Sequence, residues 1–217
     1  MTNDMSQILT TKFAAAPVVP LIEADDPTVA VQTARALQAG GLDVIEVVLR
    51  TDAALECMEA IIAETDDIVV GAGTILTVDD AQKAVSRGAQ FIVCPGLVDA
   101  VVNFCLEKGL PVFPGTMTPG EVQQAHCLGL DTVKFFPAKL AGGVPMLKAL
   151  SSVFRNMRFM PTGGVSADNL GEFLALSSVV ACGGSWLTPK EAIAAGDYHA
   201  ITNLAREAVR LASAARL

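Results

Sequence analysis

Short apolar runs rich in Val, Ile and Phe recur along the chain, over 18–22, 44–49, 68–72, 91–94, 112–113, 132–136, 159–160 and 179–182. Between them lie alanine-rich stretches whose apolar positions return with helical spacing, among them 29–39, 53–63, 81–86 and 100–107. The first kind of run marks a strand buried on both faces, and the second marks a helix that covers a sheet. One strand and one helix return about every 20 to 26 residues, an alternation that predicts a parallel sheet. Eight such units can close a (β/α)8 TIM barrel, and 217 residues suit that fold towards its short end. The expectation is a single α/β domain over 1–217. A helix in the first ten to fifteen residues precedes strand one and covers one barrel end, and an amphipathic helix over 198–216 closes the chain. An open doubly wound sheet is the competing architecture. It calls for a GxGxxG turn after its first strand, and Pro20-Leu21-Ile22-Glu23-Ala24 has none.

Two of the apolar runs are interrupted by a charge. In VIEVVLRT (44–51) Glu46 stands alone in a run that otherwise reads as a buried parallel strand, and burying it is costly unless something answers it. Side chains alternate along a strand, so Glu46, Val48 and Arg50 share one face, with Arg50 at the C-terminal end where barrel active sites assemble. In TVKFFP (132–137) Lys134 is isolated among Val133, Phe135 and Phe136. Two readings stand at this point: a structural Glu–Lys ion pair, or a Lys that snorkels to the rim, against a reactive pair in a shared interior. For the second, desolvation among Phe rings favours the neutral amine, the form that attacks carbonyls.

Composition narrows the classes. With 52% hydrophobic and 18% charged residues the chain is a folded protein, and no apolar run approaches the ~18 residues a spanning helix needs. The start MTNDMSQILTTKF lacks the basic and apolar regions of an export signal, so a cytoplasmic location is expected. Fifteen Lys and Arg against 23 Asp and Glu give a net charge of −8, which repels nucleic acid. Cys57, Cys94, Cys105, Cys127 and Cys182 form no CxxC pair, and neither His126 nor His199 has metal-ligand spacing with another His or a Cys. No metal site and no cofactor are expected. Cys94 and Cys182 stand near strand ends without a basic neighbour in sequence, the minority nucleophiles; Trp186 reads as a packing anchor.

Most strands end in Gly, Pro, Ser or Thr, residues that suit loops approaching a ligand closely. The seventh run is followed by Pro161-Thr162-Gly163-Gly164-Val165-Ser166, and the eighth ends Cys182-Gly183-Gly184-Ser185-Trp186. Barrel phosphate sites are commonly built from these two loops, where glycine lets backbone N–H groups turn inward and Ser185 adds a hydroxyl donor. A phosphorylated small molecule is the expected partner.

The ordered set EVVLRT (46–51), GAGT (71–74), PG (95–96), PGT (114–116), KFFPA (134–138), PTGG (161–164) and GGSWL (183–187) resembles the bacterial KDPG/KHG aldolases, from about Pro17 to the C-terminus. That resemblance implies a metal-free class I aldolase of the Entner–Doudoroff pathway, a cytoplasmic homotrimer of (β/α)8 barrels. Its substrate would be 2-keto-3-deoxy-6-phosphogluconate, split into pyruvate and glyceraldehyde 3-phosphate, or 4-hydroxy-2-oxoglutarate. It makes Lys134 the Schiff-base residue and Glu46 the proton shuttle. Arg50 and Thr74 would hold the pyruvate carboxylate, Thr162 would influence stereochemical choice, and Gly163, Gly164, Gly184 and Ser185 would contact phosphate. Two departures stand out. The family commonly reads PAE after KFF, where this chain has Pro137-Ala138-Lys139, and Thr116-Met117-Thr118-Pro119 differs from the usual sequence. Lys139, the rival nucleophile, lies beyond Pro137 in solvent. The alternatives in function are a sugar-phosphate isomerase or epimerase using Glu46 without a covalent lysine, and a phospho-ligand sensor without chemistry.

Overall fold

A computed structural model of the chain describes residues 5–216. The elements run α1 (Met5–Ala15), β1 (Val18–Ile22), α2 (Pro27–Ala39), β2 (Val44–Val48), α3 (Ala54–Glu64), β3 (Val69–Gly73), α4 (Val78–Ser86), β4 (Ile92–Val93), α5 (Asp99–Glu107), β5 (Val112–Phe113), β6 (Gly115–Thr116), α6 (Pro119–Cys127), β7 (Thr132–Phe135), α7 (Gly143–Val153), β8 (Arg158–Pro161), α8 (Leu170–Leu174), β9 (Cys182–Gly184), a 3-10 turn (Ser185–Leu187), α9 (Lys190–Ala194) and α10 (Tyr198–Ala215). The expected N-terminal helix is present as α1, and the part of that expectation on residues 1–4 lies outside the described residues.

Every named strand pairing is parallel. A curled six-stranded sheet has the order β5-β4-β3-β2-β1-β9, and a three-stranded sheet has the order β6-β7-β8. Isolated parallel bridges Phe159↔Val179 and Thr162↔Gly183 tie β8 to the segment around β9. Most strand ends lie within a residue of the sequence pattern, and two regions depart from it further. The strand expected at 112–113 continues beyond a break at Pro114, which has no N–H to give a ladder, while its carbonyl accepts from Lys134 N at 2.9 Å. The last strand, expected at 179–182, is shifted to Cys182–Gly184, because its ladder with β1 (Val18↔Cys182, Val19↔Gly183, Pro20↔Gly184) runs through the glycines that follow the apolar run.

Alternation along the strands sorts the core into two layers. Ile45, Val70 and Ile92 face the helices, while Val44, Val69, Phe91 and Val93 face inward with Val19, Phe113, Met160 and Ala181. Gly71 makes room for the inner layer, since a Cβ there would lie 2.3 Å from the Phe91 ring. Leu9 and Phe13 of α1 complete that inner cluster from the N-terminal side of the strands, and Phe13 lies 6.3 Å from Phe113, ring centre to ring centre.

Side chains lock α1 in place. Lys12 pairs with the Asp43 carboxylate and donates to the Asp67 carbonyl, both just ahead of strands. Near the other terminus Arg216 donates to the carbonyls of Phe13, Val179 and Val180. Helices that return the chain start with capping residues: Asp26 accepts from Thr28 N and Val29 N ahead of Pro27, and Thr77/Asp80 and Thr118/Glu121 form reciprocal capping boxes. Helix α1 thus covers part of the N-terminal end of the sheet, and the polar groups singled out by the sequence lie towards the C-terminal strand ends.

Candidate active site

Glu46 is the third residue of β2, paired in register between Leu21 on β1 and Gly71 on β3. Lys134 is the third residue of β7, between Gly115 and Met160. The curl of the sheet brings these two side chains, 88 residues apart in sequence, together in the interior. Lys134 Nζ lies 3.4 Å from Glu46 Oε1, with the lysine side chain 6% and the glutamate side chain 1% exposed. That is longer than the 2.7–2.9 Å or so of a tight ammonium–carboxylate bond. The second carboxylate oxygen, Oε2, is buried with no hydrogen-bond partner among the described residues. A pair serving only to hold the fold would have its remaining lone pairs satisfied, because each unpaired buried oxygen costs free energy. Here one oxygen is left open beside an amine, and Nζ also lies 5.2 Å from the centre of the Phe136 ring.

Small residues make the space. A Cβ on Gly73 would fall 2.1 Å from Glu46 Oε1, so the carboxylate lies directly over the end of β3. A Cβ on Gly115 would fall 2.0 Å from the Pro95 carbonyl oxygen, which brings the PG and PGT loops into contact. Thr116 Oγ1 donates to the Lys134 carbonyl at 3.2 Å and steadies the strand that carries the amine.

Beyond this pair, towards solvent, Arg50 Nε donates to Thr74 Oγ1 at 3.2 Å, and Thr74 has a positive φ of 62°. The Arg50 guanidinium also meets Glu23 Oε2 at 3.5 Å, and Glu23 Oε1 in turn accepts from Lys190 Nζ at 3.1 Å. Thr74 directly follows Gly73, so the chain itself connects the Arg50 group to the floor under Glu46. No hydrogen bond or ion pair among the described residues joins the two groups directly.

Thr162 is buried at the end of β8 and rests on Gly183, where a Cβ would fall 2.3 Å from Thr162 Oγ1. Gly163 and Gly164 follow with φ of 92° and 80°, a backbone that L side chains rarely adopt. In the adjacent loop Trp186 packs against Gly184, leaving Ser185 exposed at the start of the 3-10 turn. The sequence reading thus named the Glu46–Lys134 pair, the Arg50–Thr74 pair and the two glycine loops. Glu23 and Lys190 were not among the predicted site residues; Glu23 directly follows the wholly apolar β1, and no charge within that strand marks its face.

A cavity of about 920 Å³ lies elsewhere. It opens between α1 and the N-terminal ends of β5 and β7, with walls that include Leu9, Phe13, Val112, Leu130 and Val179. The Arg216 at its edge is already engaged by three carbonyls. It offers no reactive pair.

Residues 9–204 match the model of the KDPG and KHG aldolase family. The chain belongs to this family. It is 45% identical over 90% of its length to the 2-dehydro-3-deoxy-phosphogluconate aldolase of Treponema pallidum, covering 91% of that relative. Among solved structures it is similar to the KDPG aldolase of Legionella pneumophila with pyruvate captured as a covalent carbinolamine intermediate, with a TM-score of 0.88 at 39% identity, covering 91% of this chain and 96% of that one. The Zymomonas mobilis 2-keto-3-deoxy-6-phosphogluconate aldolase with 3-phosphoglycerate gives a TM-score of 0.86 at 39% identity, covering 93% and 94%.

Four of the five cysteines are buried and held as protonated thiols. Burial pushes the Cys94 thiol up to about 12 and the Cys105 thiol up to about 11, and burial followed by the charges of Asp26 and Asp25 takes Cys57 up to about 11. Burial raises Cys182 as well. Trp186 packs against the helix-side core. Lys139 is exposed, outside β7.

Proposed function

We infer that the protein is a Schiff-base aldolase that cleaves 2-keto-3-deoxy-6-phosphogluconate to pyruvate and glyceraldehyde 3-phosphate, and 4-hydroxy-2-oxoglutarate to pyruvate and glyoxylate. The observation that carries the assignment of roles is the buried Lys134–Glu46 pair with its open Oε2. Cleaving a C–C bond leaves an electron pair that needs a sink, and a protonated imine at the adjacent carbonyl carbon provides one. In this reading the Lys134 amine, deprotonated, adds to the C2 ketone, and the carbinolamine loses water to give an iminium. Glu46 then removes the C4 hydroxyl proton. The C3–C4 electrons move to C2 and onto nitrogen, which releases the aldehyde and leaves an enamine. Glu46 returns a proton to C3, and water hydrolyses the resulting iminium to pyruvate and free Lys134.

Arg50, steadied by Thr74 and Glu23, gives the keto acid's carboxylate a planar fork of donors. Thr162 sits beside the path of the cleaved carbon, where its hydroxyl bears on stereochemical choice. Gly163, Gly164, Gly184 and Ser185 hold the phosphate and contribute orientation. The same reading counts β5 and β6 as one strand and joins the two sheets through the Phe159↔Val179 and Thr162↔Gly183 bridges, giving a closed (β/α)8 barrel in one domain over 1–217. It places the enzyme in the cytoplasm as a homotrimer. The exposed Leu76, Val98 and Met117, on loops after β3, β4 and β6, supply an apolar face for that association.

The deciding experiment is borohydride reduction in the presence of pyruvate followed by peptide mass mapping. The expected result is a reduced pyruvyl adduct on Lys134. An adduct on any other lysine, or none, overturns the mechanism, and an isomerase or sensor would form none.

A further inference from the structure

Three cationic side chains mark the C-terminal mouth beside the glycine loops and the Arg50 group, and two of them are already engaged. Arg50 is held by Glu23 and Thr74, and Lys190 by Glu23. Lys139 is the third. It forms no ion pair or side-chain hydrogen bond with any described residue, and it is exposed.

Its backbone is not loose. Lys139 N donates to the Gly163 carbonyl at 2.9 Å, and the preceding Ala138 N donates to the Thr162 carbonyl at 2.7 Å. These bonds dock the segment after β7 onto the segment after β8. The lysine stem then crosses Gly164: a Cβ on that glycine would lie 2.5 Å from Lys139 Cβ, 3.3 Å from Cγ and 3.0 Å from Cδ. Three successive carbons of the stem thus lie against the glycine that, in the reading above, turns its N–H towards phosphate. The Thr162↔Gly183 bridge puts this loop next to the one carrying Gly184 and Ser185.

We propose that Lys139 is a specificity-determining residue, the charged member of the phosphate site, which selects substrates carrying a terminal phosphate dianion over the same keto acids without it. A glycine cradle supplies neutral N–H donors, which a sugar hydroxyl also satisfies in part. A mobile ammonium on a stem laid over that cradle distinguishes a dianion from a hydroxyl by charge. In a chain of net charge −8 an unpaired cation at the mouth also offsets the general repulsion of a doubly charged ligand. Gly164 is required in the same design, because any side chain there would evict the lysine stem.

This proposal rests on the phosphate reading of the glycine loops, and the experiment separates the two. The quantity read is the ratio of kcat/KM for 2-keto-3-deoxy-6-phosphogluconate to that for the same compound lacking the phosphate, measured at low and at high salt. In Lys139→Ala the ratio is expected to fall about tenfold at low salt, the size of one lost charge-assisted hydrogen bond. The difference from the unaltered enzyme should shrink at high salt. Lys139→Glu should lower the ratio further, and Lys139→Arg should restore most of it. A ratio that is large in the unaltered enzyme and unchanged in Lys139→Ala and Lys139→Glu overturns the role of Lys139 and leaves the glycine site standing. A ratio near one in the unaltered enzyme overturns both.

Discussion

At one end of the strands Lys12 meets Asp43, and towards the other Lys134 meets Glu46. Both are lysine–carboxylate pairs, yet their surroundings differ. The first is partly exposed, at 21% and 36% of side-chain surface, and its amine is also accepted by the Asp67 carbonyl. Every group in it has an answer, in water or in protein, and its effect is to clip α1 over the inner core. The second pair is shut away from solvent, its partners stand further apart, and one carboxylate oxygen has no hydrogen-bond partner among the described residues. The two pairs differ in burial and in how fully their polar atoms are satisfied, rather than in their charges, and in the proposed mechanism the buried one is the pair that meets the substrate.

Disrupting each pair should therefore give different losses. The largest expected effect is that of Lys134→Ala, which should cut kcat by at least about a thousandfold with the circular dichroism spectrum preserved, since in the proposed mechanism this amine forms the imine. Glu46→Gln should follow, with kcat down about a hundred- to ten-thousandfold, the usual worth of a positioned acid–base group, and with pyruvate still trappable on Lys134. An unaffected rate would remove Glu46 from the proton path. Gly73→Ala should approach the same loss, about a hundredfold in kcat, by pushing the carboxylate off its seat without altering any chemical residue.

At the other end Asp43→Asn should leave kcat alone and cost about 1 kcal/mol, seen as a fall in Tm of about 2 to 4 °C by calorimetry. The smallest effect concerns the thiols. Because burial holds Cys94 and Cys105 near 12 and 11, they stay protonated through neutral pH and should resist iodoacetamide in the folded protein at pH 8. Cys127 is exposed and should be alkylated with activity retained, as mass spectrometry beside an activity assay would read.

The pattern of the chain carried the outline well, for physical reasons. A strand covered on both faces needs an unbroken apolar run, so one charge in such a run stands out, and both Glu46 and Lys134 were visible on that ground. Two opposite charges in apolar strands suggested a shared interior, but the geometry of their meeting was not legible, since nothing local encodes the curl that brings the two side chains together. The shift of β9 was hidden because its ladder with β1 uses glycines, which carry no hydrophobic signal, while the apolar 179–181 ahead of it does. The split at Pro114 was hidden because the flanking pieces have only two residues each, too short for a period to register. Glu23 lies one residue past β1, where a polar residue reads as an ordinary start of a loop, and its role depends on Arg50 arriving from the neighbouring strand.

Thr74 holds a costly backbone conformation. Its φ of 62° is a conformation that a β-branched residue enters only at a penalty of order 1–3 kcal/mol, and one that glycine occupies freely. The hydroxyl that accepts from Arg50 is thus retained against the interest of the local backbone. Replacement by glycine would relax the turn while surrendering the guanidinium's anchor, so here a sturdier molecule and a better-aimed one are different molecules.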